Sequence, residues 1–257
     1  MSFRVEHIGD ATLYLGDCRE ILPGLSADHV ITDPPYEDEL HKVFGSARSI
    51  RTDGKKRSRH DTLGFVGVNA DRAQFASIMV AASKGWLLVF SLAEGIRAWR
   101  DDIQAAGGKW DQTLFWIKPD STPRFNGQGP ARGAECAAAA WCGPGYRRLN
   151  ARGKRGVYTH CVNVNRQGEH PTEKPLPLMM ELVSDFTQHG ETVCDPFAGS
   201  GTTGIACTNL GRRFVGIEQE EKFFDLACRR IEEAYRQPRL FEDEAPKAEQ
   251  LSMLGTP

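Results

Sequence analysis

The 257-residue sequence has no long apolar run: stretches such as Trp86–Phe90 and Ala137–Cys142 are only five or six residues long. A bilayer-spanning helix needs about 20. Met1–Asp10 likewise carries no apolar stretch behind a basic start, so no secretory leader is written there, and a soluble, cytoplasmic protein is expected. Cysteine is sparse and unpaired in spacing. The seven cysteines are an odd number and no two stand in a C-x-x-C arrangement, which argues against a zinc knuckle or a redox dithiol. They read as core thiols in a reducing compartment, and no metal is expected. Excess charge of either sign is missing too, at a net −2 and pI near 6.4. With 40% hydrophobic residues the chain suffices for one substantial core, and one domain over 1–236 is expected.

The small net charge hides local asymmetry. Arg48, Arg51, Lys55, Lys56, Arg57 and Arg59 face only Asp53 within their segment, and Arg147, Arg148, Arg152, Lys154 and Arg155 form a second run with no acid among them. The acidic tail, with Glu242, Asp243, Glu244 and Glu249 against Lys247, brings the total back down. Either basic run alone reads most simply as a solvated loop.

Apolar periodicity alternates between strand and helix, which predicts an α/β sheet with helices on its faces. His29–Thr32 reads as a buried strand ending at Asp33, because Pro34-Pro35 can continue neither a ladder nor a helix. Helical spacing follows from Asp71 through Phe75, Ile78, Met79 and Ala82, and Trp86–Phe90 reads as the next strand. Ile96, Trp99 and Ile103 mark a helix stopped by Gly107-Gly108, and Leu114–Ile117 a further strand. From Pro119 to Glu169 the pattern lapses into Gly, Pro, Arg and Asn, interrupted mainly by the small-residue run Ala134–Cys142, which predicts an inserted, surface-facing region. Periodicity resumes with a helix from Pro175, a strand at Thr192–Cys194, a helix at Thr202–Leu210, a strand at Phe214–Ile217 and a final helix at Glu220–Tyr235. Residues 237–257 are polar and charged, and a disordered tail is expected.

Gly199-Ser200-Gly201-Thr202-Thr203-Gly204 fits G-x-G-x-x-G between a predicted strand and helix, and Glu218 ends the next strand 19 residues on. Glycines there let the backbone turn and approach a ligand, the helix amino terminus offers free N–H groups, and the acid can accept from ribose hydroxyls. A nucleoside-containing cofactor is therefore expected. A nicotinamide dinucleotide is the first candidate and would make the chain an oxidoreductase. However, only 39 residues follow Glu218, too few to finish a dinucleotide fold. The remaining strands must come from before the loop, where Asp33 sits, as in a circular permutation.

With Asp33-Pro34-Pro35-Tyr36 upstream of Asp195-Pro196-Phe197-Ala198-Gly199-Ser200-Gly201, the chain resembles the S-adenosylmethionine-dependent amino-methyltransferases of DNA. The motif order resembles their β group, over about residues 5–235, and His170-Pro171-Thr172-Glu173-Lys174-Pro175 stands where such enzymes carry a further cofactor segment. The resemblance implies a Rossmann-like methyltransferase fold, with a mostly parallel sheet, helices on both faces and an inserted target-recognition region. It implies S-adenosyl-L-methionine as cofactor, S-adenosylhomocysteine as product, double-stranded DNA as partner and, from the habit of the β group, a homodimer. By the same resemblance, Asp33 and the Pro34 carbonyl accept hydrogen bonds from the target amine, Pro35 helps fix that carbonyl, and Tyr36 stacks on a flipped base. Phe197 packs on the cofactor, Gly199, Ser200, Gly201 and Thr202 form its loop, and Asp195 holds its ammonium group. Glu218 takes the ribose, Asp17 the adenine amine, and Thr172 with Lys174 the carboxylate. The two basic runs become phosphate contacts, the first in a DNA-binding loop over 37–70 and the second in a recognition region over 119–168.

Asp at the first motif position favours N6 of adenine, because the N4-cytosine subgroup more often has Ser there. Related enzymes acting on RNA or on protein glutamine usually carry the cofactor motif first, the reverse of the order here.

Overall fold

The computed structural model describes residues 3–35, 71–121, 129–151, 153–162 and 173–237. Chain order begins with strands Arg4–Ile8 (β1) and Ala11–Leu15 (β2), a one-turn helix Cys18–Ile21 (α1) and strand His29–Thr32 (β3). Helix Arg72–Ala82 (α2), strand Trp86–Ser91 (β4), helix Ile96–Ala105 (α3) and strands Lys109–Ile117 (β5), Ala134–Trp141 (β6) and Val157–Thr159 (β7) come next. The last part holds helix Leu176–Phe186 (α4), strand Thr192–Asp195 (β8), helix Thr202–Asn209 (α5), strand Arg213–Glu218 (β9) and helix Glu221–Arg236 (α6).

Among the described residues the strands form one sheet in the order β1-β2-β9-β8-β3-β4-β6-β5-β7. From β2 to β4 the pairings are parallel, β6 runs antiparallel to both its neighbours, and β1 closes the opposite side antiparallel to β2. Every residue of β3 and β4 is buried, as parallel strands covered on both faces require. Alternation along β4 divides the core: Trp86, Leu88 and Phe90 pack with α4, α5 and α6, while Leu87 and Val89 pack with α1, α2 and α3. Helices therefore cover both faces, as expected. No helix among the described residues is long and apolar enough to cross a membrane.

Two features depart from the sequence expectation. The first two strands, without a strong apolar pattern, become strands by pairing, β2 against β9 with Leu15 opposite Glu218. The larger departure is β6. Ala134–Trp141 falls in the stretch 119–168 expected to be an inserted, surface-facing region, yet it is a buried strand in the sheet. Ala137 and Ala139 face one core, and Cys136, Ala138 and Ala140 the other. Alanine is a weak strand former, so pairing on both edges decides its state.

The chain leaves β8 through α5 to β9 on one side, whereas β3 leads to α2 and β4 on the other. The sheet order thus reverses between β8 and β3. In open α/β sheets a crevice opens outside the carboxyl ends of the strands at such a switch point.

Candidate active site

Asp33 leaves the carboxyl end of β3 and Asp195 ends β8, on adjacent parallel strands with His29 opposite Val193. Asp195 clamps the two motifs together. Its Oδ1 accepts from the Thr32 hydroxyl at 2.7 Å and from the Phe197 N–H at 3.1 Å, and its Oδ2 from the Thr203 hydroxyl at 2.7 Å. Both carboxylate oxygens thus face the protein's own donors, which bind the end of β3 to the glycine loop and to α5. Burial pushes its carboxyl up to about 6, against the lowering effect of those donors.

The glycine loop is shaped by packing. Gly199 and Gly201 take φ of 51° and 80°, in the left-handed region that only glycine enters cheaply. A Cβ on Gly201 would lie 2.9 Å from the Ala227 Cβ, and one on Gly204 would lie 2.5 Å from Ile231 Cδ1 and 2.8 Å from the Phe214 ring. The glycines at those positions therefore let α5 and its loop approach α6 and β9. Glu218 sits at the end of β9, accepting from the Gly199 N–H at 2.9 Å and the Glu220 N–H at 2.8 Å. Burial raises its carboxyl above the ordinary glutamate value. The Gly16 N–H donates to the Glu218 carbonyl at 2.9 Å, so Asp17 stands beside it at the same end of the sheet.

Asp17 caps α1 through the Arg19 N–H at 2.8 Å and pairs with the Arg19 guanidinium, which holds its carboxyl below the usual range. Arg19 also reaches Asp71 at 3.0 Å and lies over the Phe75 ring. Phe75 in turn meets Phe197 edge-on at 5.1 Å between centroids, and Phe197 is half-buried.

The segment before α4 joins the two motifs. Glu173 accepts from the Thr202 hydroxyl at 3.1 Å and from Arg230 at 2.5 Å, while Arg230 also donates to the Ser200 carbonyl at 2.8 Å. The next residue, Lys174, points elsewhere, pairing with Asp33 and, at 3.3 Å, with Glu135. Glu173, Arg230, Glu135 and Arg19 were not legible as site residues. Glu173 stood between two residues that were, but nothing local in the sequence marks Arg230 or Glu135.

The second basic run is divided. Lys154 pairs with Glu181 at 2.5 Å and with Asp185, and Arg147 pairs with Asp111 and with the Trp110 carbonyl. Arg148 and Arg155 are exposed. Tyr36, Arg48, Arg51, Lys55, Lys56, Arg57, Arg59, Arg152, His170 and Thr172 lie outside the described residues.

A family model for DNA methylases of the N6/N4 type matches residues 27–229, from just before β3 into α6. The chain belongs to this DNA methylase family. Both motifs and the segment joining them fall inside the matched span. Among curated relatives, the type II methyltransferase M2.MboI of Moraxella bovis is 51% identical over 67 residues, which is 26% of this chain and 24% of that protein. The match thus spans about a quarter of that relative's length. Over a longer span, the solved M1.HpyAVI–SAM complex superposes with a TM-score of 0.65 at 25% identity, covering 86% of this chain and 98% of the other. The cytosine-N4-specific PvuII DNA methyltransferase has a TM-score of 0.62 at 16% identity, covering 89% and 92%, a likeness of fold alone.

Proposed function

We propose that this methylase transfers the methyl group of S-adenosylmethionine to the N6 amine of an adenine flipped out of duplex DNA. The observation that carries the reading is the meeting of Asp33-Pro34-Pro35 and the glycine loop at the carboxyl ends of adjacent strands, joined through Asp195. The cofactor reading is supported by the groups that meet there: a buried carboxylate acceptor at Glu218, left-handed glycines beside it, and Asp17 next along the same sheet end. The SAM held by M1.HpyAVI, on the same fold, supports it further. When bound, S-adenosylmethionine supplies an electrophilic methyl group on its sulfonium.

The chain's own residues supply orientation and charge. An exocyclic amine is a poor nucleophile because its lone pair is delocalised into the ring. Asp33 accepts one amine hydrogen and the Pro34 carbonyl another, which favours a tetrahedral nitrogen with its lone pair toward the methyl group. Pro34 and Pro35 bring no N–H of their own into the crevice. Tyr36 offers a face for the extruded base. Glu218 holds the ribose and Asp17 the adenine of the cofactor.

The fold itself does not choose the base, since a cytosine-N4 enzyme shares it. Asp rather than Ser at position 33 favours adenine. We assign DNA contacts to the loop 37–70 and to the parts of 119–168 outside β6 and β7. Nucleoside mass spectrometry of treated duplex DNA tests the reading: N6-methyladenine is expected, and Asp33→Ala is expected to abolish it while cofactor binding survives. N4-methylcytosine, or full activity in Asp33→Ala, would overturn the assignment.

A further inference from the structure

We infer that Lys174 is a positioning residue for Asp33, and that Glu135 and Lys118 hold it there, in a ladder of alternating charge running along one end of the sheet from β3 toward β5. The inference rests on the methyl-transfer reading above. The four side chains come from four separate segments. Lys174 pairs with Asp33 and with Glu135 at 3.3 Å, and the other oxygen of Glu135 pairs with Lys118. All are largely withdrawn from water, with side-chain exposures of 26% for Asp33, 8% for Lys174, 14% for Glu135 and 12% for Lys118. Two cations and two anions so arranged cancel, which is the condition for keeping such charges inside a protein. Aromatic faces line the ladder, Phe90 at 5.0 Å from the Lys174 ammonium and Trp116 at 4.4 Å from that of Lys118.

The far end of the ladder sits at the neck of the β5–β6 connection, where the Lys118 N–H donates to the Gly133 carbonyl at 2.8 Å. The carboxylate that meets the target amine is thus set by β6 and by the segment before α4, as well as by its own strand.

The sequence position of Lys174 pointed to the cofactor carboxylate instead, and the two roles differ in what they move. Among the described residues, the charged groups that act on Asp33 include Lys174, Glu135 behind it, and Asp195, whose charge couples to that of Asp33 across the neighbouring strand end. Lys174 favours the ionised Asp33, whereas Glu135 and Asp195 oppose it. Removing the ammonium therefore raises the pH below which Asp33 protonates and ceases to accept the amine hydrogen.

The test compares wild type with Lys174→Met, Lys174→Arg and Glu135→Leu in the full chain. Three quantities are measured: S-adenosylmethionine affinity by calorimetry, the pH profile of kcat on duplex DNA, and the carbon-13 titration of the Asp33 carboxyl without cofactor. In Lys174→Met the Asp33 titration and the acid limb of kcat are expected to move up together by about 1–3 pH units. Cofactor affinity is expected to stay within about twofold. Lys174→Arg should restore the limb, and Glu135→Leu should lower kcat without weakening cofactor binding. A Lys174→Met protein with an unmoved Asp33 titration and much weaker cofactor binding would overturn the inference and give the lysine to the cofactor. Should Lys174→Met fail to fold, unchanged kcat in Glu135→Leu overturns it as well. A wild type that transfers no methyl group would sink the proposed function, and the Asp33 titration would still decide the pairing.

Discussion

Arg230 offers the sharpest test of how the glycine loop is held. Its guanidinium donates to Glu173 at 2.5 Å and to the Ser200 carbonyl at 2.8 Å, joining α6 to the glycine loop and to the segment before α4. In Arg230→Met the Glu173 carboxylate, 10% exposed, keeps the Thr202 hydroxyl at 3.1 Å but loses its cation. Stranding one member of a fully buried pair costs about 3–5 kcal/mol. Because a quarter of the Arg230 side chain sees solvent and one donor remains, the expected loss is lower, about 2–3 kcal/mol, nearer the range for a charged hydrogen bond. With an m-value of about 3 kcal/mol/M, the urea midpoint should fall by about 0.7–1 M at unchanged slope. Adding Glu173→Gln removes the stranded charge, so the double variant should be more stable than the sum of the singles predicts. Strict additivity, or a midpoint within about 0.2 M of wild type, would refute the argument.

Three further outcomes follow from the same geometry. Gly201→Ala places a Cβ 2.9 Å from the Ala227 Cβ and 3.0 Å from its Cα, on a backbone with φ of 80°; a loss of about 1–3 kcal/mol, read by thermal unfolding, and weaker cofactor binding are expected. Asp195 has its carboxyl raised to about 6 from 3.8, so the stability it contributes is complete below about pH 4 and is lost as the pH rises through 6. Asp195→Asn lacks this titration, so its deficit against wild type should be largest near pH 4 and shrink toward neutrality, by on the order of 2–3 kcal/mol; a pH-independent deficit in urea titrations would contradict this. Lys154→Gln should leave the salt dependence of DNA binding unchanged, since its ammonium faces Glu181 and Asp185, whereas Arg148→Gln or Arg155→Gln should each reduce the slope by about 1. The reverse pattern would return Lys154 to the DNA surface.

The alternation of strands and helices, the buried strands at β3, β4, β8 and β9, and the two motifs at their ends can all be read from the residue pattern. These were legible because each rests on a local cause: period of burial, the inability of Pro34-Pro35 to continue a strand, and the backbone freedom of Gly199 and Gly201. Motif order carried one long-range fact, that a late glycine loop needs earlier strands, and β8 indeed pairs with β3. The rest arises from contacts between segments far apart in the chain. The alanine run became β6 because two neighbours satisfy its backbone, a condition with no signature within the run. Asp195 faced inward because Thr32 and Thr203 converge on it from 163 residues upstream and 8 residues downstream. Lys174 found Asp33 across 141 residues of chain, and Arg230 found Glu173 across 57. Ion pairs of this kind depend on distance in space, which spacing along a sequence does not encode.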